Sequence, residues 1–485
     1  MPGLVLLFAL LVPHAHASEA LDLAEAVVRA IAHNPDLATS HLSVTEAEAQ
    51  VTAARAAFEP TFQGSGSWDQ SQTRGFFQGF GFSQDSSSWS TSAGISGALP
   101  TGTSWSLGSS AGWNRSSTAS DMFQGEQEQE YYSSGLTLGL SQNLLEGLWP
   151  SYNLRGVRTA RQGVERAQTS LALTREQLVV QVAAAWHGWV LAFQREAIAV
   201  EALTSAEATE QTVRVRMDEG NCTELELGQA AVARLQARSD LLQAQADTRA
   251  AADDLLVLLG EEPGAPIRPA GQVLPDAFRM GPVERWEERA LAANPDLALA
   301  RSDQEAARLA ARDARHARLP TLTAEASASL GAQDDDLGGA LGGLGGDEAF
   351  PAVGVGLDLS VPLGNRAARA EVRRTSAALQ AATLAVEGLE RSLRAEVQAR
   401  YRAVLTAHEA LEIADQSRSL SARNATLEEA RFREGTRTLD RLLESLLAAE
   451  RATLAAEQAR VTLAAAVLDL YALAGEAERY VLRGA

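Results

Sequence analysis

The stretch Asn34-Pro35-Asp36-Leu37-Ala38 occurs a second time as Asn294-Pro295-Asp296-Leu297-Ala298, at a spacing of 260 residues (294 minus 34). A second series of matches follows at a spacing of 215 residues, and it pairs Glu219-Gly220 with Glu434-Gly435 and Gly260-Glu261 with Gly475-Glu476. Two ordered series of matches indicate an internal duplication. The difference between the spacings places 45 additional residues (260 minus 215) in the first copy, between Pro60 and Trp186.

Each copy shows the same predicted order of a helix, a β region, a long helix, a turn and a return helix. The stretches 154–218 and 366–433 contain no proline and have apolar residues at helical spacing. A helix of about 65 residues would be about 100 Å long. The seven-residue spacing of Leu447, Leu454 and Val461 predicts that the return helix forms an antiparallel coiled coil with its long neighbour.

These patterns predict the organisation of the whole chain. The predicted segments are a signal peptide at 1–17; a first repeat at 18–260, with helix 19–57, β region 58–147, long helix 154–218 and return helix 223–259; an equatorial linker at 261–283; a second repeat at 284–475, with helix 284–318, β region 319–363, long helix 366–433 and return helix 439–474; and a C-terminal tail at 476–485.

The β regions alternate apolar residues with Ser, Gly and Thr at a period of two, as in 89–99 and 353–361. Segments of about 10 residues with aromatic residues near their ends fit transmembrane β-strands that face lipid on one side and a watery lumen on the other. A half-buried sheet in a soluble protein shows the same alternation and is the alternative. Because lipid does not tolerate open sheet edges, several chains must pool their strands to close a barrel.

Composition excludes several classes of protein. A formal net charge of −20 argues against nucleic acid as a partner, and a single cysteine excludes a disulfide framework. All 42 basic residues are arginine, which rules out a P-loop lysine and a Schiff-base lysine. No nucleophile and base or metal-ligand set occurs at a useful spacing, so we expect no enzyme activity, no cofactor and no metal site.

The apolar run 3–12 followed by Ala15-His16-Ala17 predicts a secretory signal peptide, with a buried N-terminal strand or helix as the alternative.

The sequence resembles the TolC-type outer membrane efflux family over nearly the whole mature chain. The matching stretches are 21–37, the strand-to-helix junctions 136–147 and 355–363, and the helix-turn-helix 431–443. The resemblance implies an α+β membrane protein, internally duplicated, in which a trimer shares a transmembrane β-barrel continued by a long antiparallel α-helical coiled-coil barrel. The implied location is the outer membrane, with the helices extending into the periplasm.

The implied function is that of a passive channel in a tripartite efflux or type I secretion system. Its partners would be two further copies of the chain, a periplasmic adaptor (membrane fusion) protein, an inner-membrane transporter and outer membrane lipid. The alternative is a periplasmic coiled-coil scaffold or adaptor-like protein without a pore. The substrate is not encoded, because the pump selects it. The family usually supplies four strands per chain and forms a twelve-stranded barrel, whereas a surplus hairpin around Pro100–Thr103 could here enlarge the barrel or fold against its rim.

The resemblance also makes the two helical turns the adaptor-docking and gating region, although ordinary capped turns with solvated charges would look the same. Asp218, Glu219, Glu434 and Asp440 are the candidates for an acidic entrance. The full predicted set is Arg216, Asp218, Glu219, Gly220, Asn221, Arg431, Arg433, Glu434, Gly435, Thr436, Leu439 and Asp440. Alternation turns Glu325 and Asp358 toward the lumen, where they would favour cations. We further expect a flexible glycine-rich loop at 338–346 and a packing role for His408 in the coiled-coil stripe.

Overall fold

The structure is a computed structural model that describes residues 19–77, 80–120, 123–271, 273, 280–347 and 349–483, so the predicted signal peptide lies outside the described residues. The elements of the first copy are β1 (Glu19–Leu21), α1 (Leu23–His33), α2 (Pro35–Arg55), β2 (Thr61–Phe77), β3 (Phe80–Ala98), β4 (Thr103–Ser120), β5 (Phe123–Asn143), α3 (Pro150–Asn153), α4 (Arg155–Asp218) and α5 (Glu224–Leu259). Those that follow are β6 (Ile267–Pro269), α6 (Val283–Ala293), α7 (Pro295–His316), β7 (Thr321–Asp334), α8 (Leu337–Gly343), β8 (Phe350–Ser360), α9 (Arg366–Arg433), α10 (Leu439–Leu473) and α11 (Ala477–Arg483).

The described residues form two compact units. The first comprises those within Met1–Val44, Ala167–Arg301 and Ala385–Ala485, and the second those within Thr45–Arg166 and Ser302–Leu384. The long and return helices have nearly the bounds that the sequence predicts. No helix among the described residues is both long enough and apolar enough to cross a membrane.

The first helix of each copy differs from the expectation because it is divided in two. In the predicted helix 19–57, residues 19–21 form β1, which pairs in parallel with β6, and the helix is interrupted at Asn34. The predicted helix 284–318 is interrupted in the same way at Asn294. Both asparagines precede a proline and have extended backbones, with ψ of 126° and 123°, because the proline ring disfavours helical geometry in the preceding residue.

The two asparagines explain why their motif occurs twice. The side-chain amide of Asn34 donates to the carbonyl of Leu258 at 3.0 Å, and that of Asn294 donates to the carbonyl of Leu473 at 3.1 Å. The amide oxygen of Asn294 also accepts a hydrogen bond from the backbone N–H of Leu297 at 3.0 Å. Each asparagine therefore ties the helix break to the last turn of a return helix and caps the helix that follows.

The repeated glycines lie at the same two junctions. Gly260 and Gly475 have φ of 75° and 63°, in the left-handed region that favours glycine. A Cβ atom would lie 2.5 Å from the carbonyl oxygen of His33 at Gly260 and 2.7 Å from that of Ala293 at Gly475. Only a residue without a side chain allows this close backbone approach. In each copy the Asn-Pro and Gly-Glu motifs therefore form a single junction between the helix break and the end of the return helix.

The two larger hydrophobic clusters of the first unit involve its long helices. Trp186 and Trp189 of α4 are the largest side chains of one cluster, and Val397 and Val404 of α9 belong to the other. The prediction for His408 is wrong, because the adjacent Ala407 packs there while His408 is exposed beside Glu412. The apolar stripe continues through alanine, and the imidazole remains hydrated.

The second unit contains a six-stranded antiparallel sheet with the order β2-β3-β4-β5-β7-β8. Its register places apolar residues opposite one another on one face, including a row that crosses four strands through Trp68, Trp89, Trp113 and Tyr132. The other face carries serines that hydrogen-bond across strands, as between the hydroxyls of Ser65 and Ser92 at 2.7 Å. The two faces therefore have the chemistry of a lipid boundary and a wet boundary.

The surplus hairpin is an integral part of this sheet. Its strands, β3 and β4, pair with β2 and β5 along nearly their whole lengths. The turn between them is fixed, because the side-chain amide of Asn153 donates to the carbonyls of Pro100 at 2.9 Å and Gly147 at 2.7 Å. The hairpin thus widens the sheet from four strands to six.

The glycine-rich run departs from the expected flexible loop, and that prediction is wrong. It forms α8, whose first turn is capped by Asp336 accepting from the N–H of Gly339 at 3.0 Å. Ala340 is fully buried, and its carbonyl accepts a hydrogen bond from the Ser134 hydroxyl at 2.6 Å. A capped helix with a buried alanine keeps its backbone groups paired, which loop glycines alone would leave to solvent. The predicted tail also contains a helix, α11, whose Ala477 N–H donates to the Glu176 carboxylate.

Candidate functional site: the helical tips

The two turns that join a long helix to its return helix have the same backbone geometry. Gly220 and Gly435 have φ of 77° and 75°. The N–H of Asn221 donates to the carbonyl of Arg216 at 2.8 Å, and the N–H of Thr436 donates to that of Arg431 at 3.0 Å. This is the Schellman arrangement, in which a left-handed glycine lets the chain leave a helix while satisfying its last carbonyls.

The return helices begin differently. The hydroxyl of Thr223 and the carboxylate of Glu226 form a reciprocal capping box at the start of α5, whereas Thr438 makes no side-chain cap at the start of α10. Hydrogen bonds from the backbone and hydroxyl of Thr223 lower the pKa of Glu226. Burial, followed by the nearby charge of Glu226, raises the pKa of the Cys222 thiol. The first tip, which is the turn between α4 and α5, therefore carries a carboxylate held by hydrogen bonds and a protonated thiol.

A buried cluster joins the two tips into one surface. It consists of Val213, Ala230, Phe432, Leu439 and Leu442, contributed by α4, α5, α9 and α10. Leu439, which the sequence suggested as part of the docking region, is almost completely buried and serves to hold the tips together.

Arg216 links the tips at their surface. Its guanidinium lies 4.7 Å from the centre of the Phe432 ring, a cation–π contact. A Cβ atom at Gly435 would lie 3.0 Å from Nη2 of Arg216. The structure thus brings together three positions from distant parts of the sequence, Arg216, Phe432 and Gly435.

Arginines next to the tips form ion pairs with neighbouring carboxylates. Arg431 and Arg437 both lie 3.3 Å from Glu428, and Arg433 pairs with Glu429. In contrast, four exposed carboxylates of the tips make no ion pair within the described part of the chain. They are Asp218, Glu219, Glu434 and Asp440. The outer surface of the tips is therefore electronegative.

A groove of about 390 Å³ lies beside the tips. Its lining residues are Val200, Glu201, Thr204, Ser205, Ala208, Thr209, Thr212, Glu429, Phe432, Arg433 and Leu442. Of these, Arg433 alone was expected from the sequence. The recurrence of Thr204, Ala208 and Thr212 every four residues marks one polar, small-residue face of α4, a signal that could have identified the groove wall.

The polar face of the sheet holds the two other predicted residues. Glu325 lies opposite Gly356 and Asp358 opposite Thr323, on the face that carries the serine ladder. Glu325 also lines an open concavity of about 830 Å³. No group of three or more His, Cys, Asp and Glu residues in the described ranges could hold a metal ion.

An amphipathic antiparallel sheet, long helical hairpins and an internal duplication are the features expected from the sequence for an outer membrane protein. The sequence profile of the family described as "Outer membrane efflux protein" matches residues 26–107 and 286–476, which is more than half of the chain. The chain belongs to this family. No curated protein sequence was found to match it.

Solved structures agree with this fold. A membrane protein from Pseudomonas aeruginosa superposes with a TM-score of 0.67 at 20% identity, over 93% of this chain and 93% of that one. VceC, an outer membrane protein from Vibrio cholerae, gives 0.67 at 16% identity, over 93% and 96% of the two chains. The open state of the Neisseria gonorrhoeae MtrE outer membrane channel gives 0.63 at 18% identity, over 93% and 88%.

The predicted family is confirmed, and so is the predicted fold class of an internally duplicated α+β membrane protein with long antiparallel helices. The chain is an outer membrane efflux channel, located in the outer membrane and extending into the periplasm.

Proposed function

We propose that the chain is the passive duct of a tripartite efflux or type I secretion system, and that its helical tips dock a periplasmic adaptor (membrane fusion) protein. The observation that carries this proposal is the buried cluster around Phe432, which makes one surface of both tips. The groove beside that surface offers hydroxyl groups together with Glu429 and Arg433. A helical hairpin of the adaptor would fit such a groove, since helices dock through periodic side chains.

The docking and entrance region comprises the solvent-accessible residues of both turns, of which Arg216 is half-buried and the others are exposed. They are Arg216, Asp218, Glu219, Gly220, Asn221, Arg431, Arg433, Glu434, Gly435, Thr436 and Asp440, supported from beneath by Leu439. Carboxylates without ion pairs at the tips would form an acidic ring once several copies surround one axis. In the sheet, Glu325 and Asp358 face the lumen and favour cations; neutralising both should abolish any cation preference of the pore.

The functional particle is a homotrimer whose apolar sheet faces contact outer membrane lipid. A six-stranded sheet with two open edges cannot stand alone in lipid, so its edges pair with other copies. An inner-membrane transporter supplies the energy and selects the substrate, and the duct itself performs no chemistry. Density-gradient fractionation of cell envelopes, followed by sizing of the detergent-extracted particle, should recover a trimer in the outer membrane fraction. Recovery of a monomer in the soluble periplasmic fraction would contradict the proposal.

Replacement of Gly435 by valine tests the docking claim. A β-branched residue at φ of 75° costs about 1–3 kcal/mol of backbone strain, and its Cβ would press on Arg216. We expect the G435V protein to assemble in the outer membrane but to lose transport and chemical cross-linking to the adaptor.

Gly228 provides the matched control, because it lies in α5 near the other helical turn with open space around it. Gly228→Val should transport normally. Unchanged efflux in G435V, measured alongside G228V at equal outer membrane levels, would count against docking at the tips.

A further inference from the structure

The two edge strands of the sheet are much more exposed than the strands between them. On the apolar face, Phe62 of β2 is 72% exposed and Val355 of β8 is 83% exposed. The matching residues of inner strands, Leu107 and Leu138, are 44% and 45% exposed. The edges therefore lack the second neighbouring strand that halves the exposure elsewhere, and the backbone groups on their outer sides have no strand to pair with in the described sheet.

The two edges are complementary to each other. All neighbours in the six-stranded sheet are antiparallel, so β2 and β8 run in opposite directions. The β8 strand of one copy can therefore pair antiparallel with the β2 strand of the next. If Thr61, where β2 begins, lies opposite Ser360, where β8 ends, then apolar Phe62 lies opposite Leu359 and polar Ser65 opposite Gly356. Both faces of the sheet then continue across the seam without interruption.

The stagger across the sheet agrees with barrel closure. The register connects Thr61, step by step across the strands, with Ser96, Ser106, Gly139, Ser327 and finally Gly354. A seam between Thr61 and Ser360 adds a displacement of six residues (360 minus 354) for every six strands. At about 3.3 Å per residue and about 4.8 Å between strands, this gives a strand tilt of about 35°. Closed barrels have tilts of about 35–45°.

We propose that the trimer of the proposed function, on which this inference rests, closes an eighteen-stranded barrel through seams between β2 and β8, with Thr61 opposite Ser360. Three six-stranded sheets at this tilt enclose a backbone diameter of about 34 Å, compared with about 22 Å for twelve strands. The inserted β3–β4 hairpin is the element that widens the pore. The lumen is lined mainly by Ser, Gly and Thr, and it admits cargo too wide for a twelve-stranded barrel.

The seam is tested by cross-linking cysteines in a Cys222→Ala background. The pair Ser65→Cys and Gly356→Cys lies face to face across the proposed seam. The matched control, Ser65→Cys with Ala352→Cys, uses the same face of β8 but lies four residues away, about 13 Å along the strand. A short bifunctional maleimide should give covalent dimers and trimers with the first pair and monomers with the second. The opposite pattern, or equal cross-linking, would overturn the register.

The width is tested by spin labels attached to Leu138→Cys in the Cys222→Ala background, in the full-length protein and in a variant lacking residues 80–122. This excision joins β2 to β5 through a short turn with Phe77 opposite Phe123. Thr61 then again lies level with Gly139, the level it has through β3 and β4 in the intact sheet.

Equivalent backbone sites in a trimer should be about 29 Å apart across an eighteen-stranded barrel and about 19 Å apart across a twelve-stranded one. We expect the intact protein to show the longer distance and the excised variant a distance about 10 Å shorter. The distance in the intact protein decides the question even where the excised variant fails to assemble. A short distance in an intact outer membrane trimer would contradict the eighteen-stranded barrel but not the proposed channel function. The absence of a trimer would contradict the proposed function itself.

Discussion

Replacement of Asn294 by alanine should open the junction between α6 and α7. The side chain of Asn294 donates to the carbonyl of Leu473 at 3.1 Å and accepts from the N–H of Leu297 at 3.0 Å, and the residue is only 7% exposed. Alanine leaves one buried acceptor and one buried donor without a partner. At about 1–3 kcal/mol for each unsatisfied group, the local cost is about 2–6 kcal/mol.

Hydrogen exchange followed by mass spectrometry measures this cost directly. The amide of Leu297 should exchange roughly 30-fold to 20,000-fold faster in N294A, because each 1.4 kcal/mol corresponds to a factor of about ten. The duplication supplies an internal comparison. Asn34 makes the equivalent bonds to Leu258 and Leu37, so N34A should accelerate exchange at Leu37 by a similar factor.

An exposed position gives the control. Ser43 donates its hydroxyl only to the carbonyl of Thr39 within its own helix, so Ser43→Ala should change exchange at either junction less than about threefold. If exchange at Leu297 were the same in N294A and in the unmodified protein, the claim that Asn294 holds the junction would be wrong.

Two further substitutions have expected outcomes. His187 is 4% exposed, and neither ring nitrogen has a hydrogen-bond partner among the described residues; burial lowers its pKa to about 4. In the unfolded chain the imidazole binds a proton near pH 6.5, whereas in the folded protein it stays neutral down to about pH 4. The contribution of His187 to the free energy of unfolding is therefore complete above pH 6.5, and about 3 kcal/mol of it is lost as the pH falls to 4. Thermal unfolding between pH 4 and 7 should show a smaller loss in His187→Leu, and an unchanged pH dependence would contradict this. At Gly102, with φ of 79°, a Cβ atom would lie 2.1 Å from the Gly147 carbonyl, so Gly102→Ala should expose the hairpin turn to proteolysis, while Gly108→Ala, with nothing closer than 4.0 Å, should not.

Much of the architecture could be predicted because it depends on local periodicity. A helix without proline and a strand that alternates every second residue leave their signal in consecutive residues, so the bounds of α4 and α9 were predicted to within one residue. The repeated Asn-Pro and Gly-Glu motifs revealed the duplication, although their role in joining helix ends required the structure. The docking residues of the tips remain a prediction, and the residues beneath them, Phe432 above all, were missed because a single aromatic in a polar helix carries no periodic signal.

The amino-acid sequence by itself determined the duplication, the long helices, the two chemically distinct faces of the strands and the glycine-containing turns between the helices, because each follows from neighbouring residues and their backbone preferences. Tertiary structure alone decided where the surplus hairpin lies, since β3 and β4 could have paired with any free edge. It also decided that α8 packs on the sheet and that His408 faces water. These outcomes depend on which distant parts of the chain come into contact. The sequence of a strand does not specify which other strand its backbone groups will hydrogen-bond to.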